Sequence, residues 1–177
     1  MAAPAINELV KTRSEIKLIW RAFELRPEPF PLPDATSDFF TNMWRDSIYP
    51  LAEGLDMEIK MPTIKPRSRI THEASKWANS VGKFDEFKEA IFRAYFKRSK
   101  NIGEIETLLS IAKKLGLKAD SLQNALETNE FLEEVLTDEN RAESIGLNVV
   151  PAFIADGKSG LTGLQPVENL TKLIQSI

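Results

Sequence analysis

The sequence predicts an α/β fold in which a small sheet is interrupted by a large all-helical insertion. Three observations carry that prediction. Glu15–Leu25 sets Ile16, Leu18, Trp20 and Ala22 on one face with a period of two, the mark of a strand. Gly146 to Pro166, GLNVVPAFIADGKSGLTGLQP, places two short apolar runs on either side of Asp156-Gly157, and Asp-Gly between β-formers is a strong hairpin signal. Between these segments, Thr36 to Ile145 shows helical periodicity and loop signals only.

Taken in order, residues 1–14 set Ile6, Leu9 and Val10 on one helical face and read as the remnant of a first helix, or as disordered. In the strand that follows, Ile16, Leu18, Trp20 and Ala22 alternate with Lys17, Ile19, Arg21 and Phe23. Pro27, Pro29, Pro31 and Pro33 then exclude a helix and predict an extended connection. Asp38–Glu53 is helical, with Pro50 ending or kinking it. Met57–Arg67, with Pro62 and Pro66, is loop. Thr71–Val81 and Phe84–Arg98 form a helix pair broken at Gly82. Ile102–Leu115, Asp120–Glu127 and Glu130–Ile145 are further helices, the first and last stopped by Gly116 and Gly146. The hairpin strands are predicted at Val149–Ala155 and Leu161–Leu164, and Pro166 opens a closing helix. The organisation is therefore an α/β part over 15–35 and 146–177, with a helical insertion over 36–145.

Composition narrows function. With 177 residues, 42% hydrophobic and 28% charged, the chain can bury a core. The net charge of −3 argues against a nucleic-acid footprint. No apolar run approaches the roughly 20 residues that cross a bilayer, and the start, MAAPAINELVKTRSE, lacks a basic and apolar leader. A cytoplasmic location without membrane attachment is expected. The chain has no cysteine, which excludes disulfides, thiolate metal sites and thiol chemistry carried by these residues alone.

Several segments in order resemble a known family: Trp20–Pro29 (WRAFELRPEP), Thr71–Ala78 (THEASKWA), Ala90–Gly103 (AIFRAYFKRSKNIG), Leu108–Leu117 (LLSIAKKLGL), the approach from Ala142 to Pro151, and Gly163–Pro166 (GLQP). Together they resemble the DsbA-like oxidoreductases of the FrnE type, close to 2-hydroxychromene-2-carboxylate isomerases. The resemblance implies a thioredoxin-like fold with a helical insertion. It also implies a central first strand followed by a Cys-x-x-Cys motif at a helix start. Only fourteen residues precede Glu15, so the fold is expected to be N-terminally incomplete, without that strand and helix start. Ser14 is no substitute, since it lies just before a strand. The family's usual Gly-Val-Pro is here Val149-Val150-Pro151.

Pro151 thus matches the family's cis-proline. The residues alone favour an ordinary trans bond, and the resemblance implies cis. In the family that proline bares a backbone edge for an extended substrate, and Val150 would supply the groups. His72, the only histidine, reads either as an acid or base over a pocket or as a hydrogen-bonding residue at a helix end. Without a second catalytic group the latter is the stronger reading. Trp20 and Phe23, with Trp44, Trp77, Phe92, Tyr95 and Phe96, line either a groove or a core. Arg93, Lys97, Arg98 and Lys100 form a basic cluster near a helix end.

The substrate-binding set is therefore Val150, Pro151, His72, Trp20 and Phe23, with no catalytic residue, metal or cofactor assigned. The expected function is that of a thiol–disulfide oxidoreductase relative that is itself redox-inactive. The alternatives are a non-catalytic peptide- or protein-binding module and a glutathione-linked isomerase relative. The expected partners are an extended peptide along the Val150-Pro151 edge and a second copy filling the place of the missing strand.

Overall fold

Asp156-Gly157 turns a hairpin. In the computed structural model, which describes residues 1–177, the elements follow in the order α1 (Ala3–Thr12), α2 (Asp38–Met43), a π-helical turn (Trp44–Ile48), α3 (Tyr49–Gly54), α4 (Arg69–Ser80), α5 (Phe84–Arg98), α6 (Ile105–Lys114), α7 (Ala119–Glu127), α8 (Leu132–Ser144), β1 (Ala152–Ala155), β2 (Ser159–Thr162) and α9 (Val167–Gln175). They divide into two units, one of Met1–Arg21 with Ala142–Ile177 and one of Ala22–Arg141.

In the first unit β1 and β2 pair antiparallel, Ala152 opposite Thr162 and Ala155 opposite Ser159. Asp156 and Gly157 both take positive φ (47° and 70°), as the mirror-image hairpin turns require. The Lys158 N–H closes the turn on the Ala155 carbonyl at 2.9 Å. Both strands differ from their expected limits. The turn is tight enough for Ser159 and Gly160 to pair, so β2 starts earlier than Leu161. Val149 and Val150 face no partner strand, so β1 starts later. Helix α9 packs on the hairpin and α1 on α9, with Ile6, Leu9 and Leu170 buried and Ile16, Trp20, Phe153 and Val167 packed around them. Residues 3–12 are thus helical, held by the apolar face of Ile6 and Leu9.

Glu15–Leu25 forms no strand. The sheet has two strands only, and neither pairs with this stretch. Its apolar residues find other uses. Ile16 and Trp20 pack into the first unit's core, whereas Leu18 and Ile19 are exposed. From Ala22 onward, side chains of the second unit take the backbone bonds that a neighbouring strand would have made.

The second unit is helical and loop throughout, with no strand between residues 36 and 145. Its core joins Trp77 of α4, Phe87 and Ile91 of α5, Leu108 and Ile111 of α6, and Leu122 and Leu126 of α7. Trp77 meets Phe87 edge-on, 6.2 Å between ring centres, and donates its indole N–H to Ser121 Oγ at 3.2 Å. A smaller cluster gathers Ala35, Phe40 and Trp44 against Met43, Ile59, Met61 and Phe96. Ser37 caps α2, its Oγ accepting from the Phe40 N–H. Ahead of Pro50 the helix loosens by one residue: the Tyr49 N–H reaches back to the Trp44 carbonyl, five residues away. Proline has no N–H for the ordinary pattern, and the π turn absorbs the mismatch. No helix is long and apolar enough to cross a membrane.

Candidate functional site

Val150, Pro151 and Trp20 belong to the first unit, His72 and Phe23 to the second. The Val150–Pro151 peptide bond is cis. The Pro151 carbonyl accepts from the Gly163 N–H at 2.8 Å. In an antiparallel ladder bonded and non-bonded pairs alternate, so Phe153 and Ala155 address β2. Ala152 and Ile154 turn their N–H and C=O groups the other way, where no backbone group of the chain bonds them. Val149 and Val150 are exposed beside this edge. Ile154, also exposed, leans over Gly160, so that a Cβ added there would meet its Cδ1 at 2.6 Å. An unpaired strand edge with apolar side chains along it can hydrogen-bond an extended chain and bury that chain's alternate residues. Trp20 is part of the packing around Ile6, Leu9 and Leu170.

In the second unit His72 and Phe23 come together through the backbone, the Phe23 carbonyl taking a hydrogen bond from the imidazole. Around them lies a cluster of largely buried charges. Glu24, 6% exposed, accepts from the Ser68 N–H (2.6 Å) and the Arg69 N–H (3.3 Å), so a carboxylate faces the positive end of α4. Asp138 of α8, 3% exposed, accepts from the Ala22 N–H at 3.0 Å and pairs with Lys76 at 2.6 Å. Arg69 bridges to Glu139 at 3.1 Å and approaches Glu24 at 3.7 Å. Two buried carboxylates thus fasten the irregular chain at Ala22–Glu24 to α4 and α8.

Burial holds the His72 pKa below its ordinary value, against the raising influence of the Phe23 carbonyl, Glu24 and Asp138; Lys76 adds to the lowering. Burial pushes the Glu73 carboxyl up, with Arg69 opposing. His72 Nε2, Glu73 Oε2, Glu139 Oε1 and Arg69 Nε are enclosed without a hydrogen-bond partner. No group of three His, Cys, Asp or Glu residues is arranged to hold a metal. Among the other aromatics, Trp44 and Trp77 are buried in the cores and Phe92 is exposed.

Sequence reasoning singled out His72 and missed Glu24, Asp138 and Arg69. A signal existed for Glu24, which shares the period-two face of Trp20 and Ala22. None existed for Asp138, which is one of five charged residues from Glu133 to Arg141.

The whole chain can be compared with known proteins. Residues 1–175 match the family model described as the DSBA-like thioredoxin domain. YwbO of Bacillus subtilis is 33% identical over 154 residues, covering 85% of this chain and 76% of that protein. The crystal structure of a probable DsbA oxidoreductase from Streptomyces coelicolor superposes with a TM-score of 0.84 at 21% identity, over 99% of this chain and 82% of that one. A candidate protein disulfide isomerase from Nitrosomonas europaea gives 0.75 at 16% identity, over 98% and 88%. The helix-rich architecture, the small sheet and the helical insertion are those of the DsbA fold. The chain belongs to the DSBA-like thioredoxin domain family.

Proposed function

We propose that these 177 residues bind an extended polypeptide in the manner of a DsbA-like oxidoreductase and do not themselves exchange thiols and disulfides. The open edge of β1 at Ala152 and Ile154, beside Pro151, carries the reading. It offers two N–H and two C=O groups to an added strand, and Val150 and Ile154 supply apolar contacts. Disulfide exchange requires a thiolate to attack a sulfur, and the chain has no cysteine to supply one. Family membership supports the substrate class, and the FrnE-type resemblance of Trp20–Pro29 and Thr71–Ala78 points the same way.

Two measurements test this. The purified chain should neither reduce insulin nor oxidise a dithiol peptide above the buffer rate; turnover from a preparation free of other oxidoreductases would overturn the inactivity. Hydrogen exchange with a reduced, unfolded protein in excess should slow the amides of Ala152 and Ile154 selectively. Protection elsewhere, or none, would overturn the docking edge.

A further inference from the structure

The antiparallel passage of α5 beside α6 leaves a depression of about 500 Å³ floored by Ala90, Ala94, Ile111 and Leu115. Alanine at two floor positions of α5 leaves room that larger side chains would fill. The rim is unlike the floor. Arg93 and Arg98 of α5, Lys100 of the connection and Lys114 of α6 surround it, with the hydroxyls of Thr107 and Ser110 between them. Glu106 is the one carboxylate. Four cations against one acid is a concentrated positive charge in a chain whose net charge is −3.

Two ordinary explanations fall short. Cations at helix C-termini answer the helix dipole, which suits Arg98 and Lys114, in the last turns of α5 and α6. It suits Lys100 as well, whose N–H bonds the Ala94 carbonyl at the end of α5, but it does not suit Arg93, more than a turn inside α5. Nor do surface ion pairs neutralise the group. Lys97, their neighbour, turns away to Glu58 at 3.1 Å, and Arg93 has only an exposed contact with Glu89 at 3.9 Å. Arg98, Lys100 and Lys114 have no ion pair in the structure.

We propose that this depression is a binding site for a small molecule carrying several phosphoryl groups. Guanidinium forks bind phosphate oxygens through paired N–H donors, while ammonium and hydroxyl groups donate from other directions. The volume falls in the usual range for small-molecule sites, roughly 300–1,000 Å³. The site involves neither Pro151 nor the β1 edge, so it stands or falls apart from peptide docking.

The test uses the full chain and inorganic tripolyphosphate in isothermal titration at low salt. Saturable binding at one site is expected, weakening as salt is raised. The R98A/K114A variant should lose affinity by about tenfold or more, with an unchanged thermal melt. E106Q should bind at least about twofold tighter, since it removes the one repelling charge. The proposal is overturned if the wild-type chain takes up no tripolyphosphate at millimolar concentration. It is equally overturned if R98A/K114A binds as well as wild type while folded, if E106Q binds no tighter than wild type, or if an acidic peptide such as deca-glutamate outcompetes tripolyphosphate.

Discussion

Replacing Asp138 by alanine tests whether the buried charges hold the second unit together. The carboxylate is buried, accepts from the Ala22 N–H and pairs with Lys76, whose side chain is 17% exposed. Alanine strands the Ala22 N–H and leaves Lys76 only its 4.0 Å contact with the exposed Glu134 carboxylate. A buried N–H without an acceptor costs about 1–3 kcal/mol, and removing one partner of a buried ion pair costs about 3–5 kcal/mol. The two overlap, so a loss of about 3–5 kcal/mol is expected, against the roughly 5–15 kcal/mol of a whole domain. For a chain of this size that lowers the melting temperature by roughly 6–20 °C. Urea titration and thermal melts followed by circular dichroism measure it. A second variant separates the contributions. K76M/D138N keeps an amide acceptor for Ala22 while removing both charges, and should recover more than half of the loss. A D138A loss under about 1 kcal/mol, or a K76M/D138N variant as unstable as D138A, would refute the reasoning.

Further outcomes follow from the same region and from two glycines. Because the His72 pKa is depressed in the folded chain, the unfolded chain binds the extra proton first. Stability is therefore full above about 6.5 and falls as pH drops below it, by at most about 1.4 kcal/mol per pH unit. Melts at pH 7.5 and 5.5 should show this loss in wild type and a smaller one in H72Q. Glu73 has the opposite sign: its raised pKa gives stability below about 4.5 that is lost as pH rises through the folded value. E73Q should accordingly be as stable as wild type or more so at pH 7.5, by urea titration. A Cβ on Gly103 would lie 2.8 Å from the Arg67 carbonyl and 3.0 Å from Pro66 Cβ, whereas at Gly160 the nearest atom is the movable Ile154 Cδ1. G103A should therefore lose about 1–3 kcal/mol and G160A less, compared by thermal melts.

Some of this protein was legible in its residues. Periodicity and stop signals placed the helices: Phe84–Arg98 falls on its predicted limits, and the others agree within a few residues. These signals are local, arising from which side chains share a face and where proline and glycine interrupt the backbone. The Asp156-Gly157 turn is local for the same reason. The absence of cysteine, and with it of a thiolate nucleophile, needs no structure at all.

What the sequence could not decide depends on partners distant along the chain. Glu15–Leu25 has the alternation of a strand, but alternation only says that one face is buried. Whether a ladder forms depends on another backbone lying alongside, and here the carbonyl of Phe23 and the N–H of Ala22 are met by His72 and Asp138. The roles of Glu24 and Asp138 were invisible because a buried acid and a solvated one are the same letter, told apart only by what packs around them. The basic residues make the same point. Sequence proximity grouped Lys97 with Arg93, Arg98 and Lys100, while the loop after α3 brings Glu58 to Lys97 and the packing of α5 on α6 brings in Lys114. Helical geometry fixes which residues share a face, and only the tertiary fold decides what that face meets.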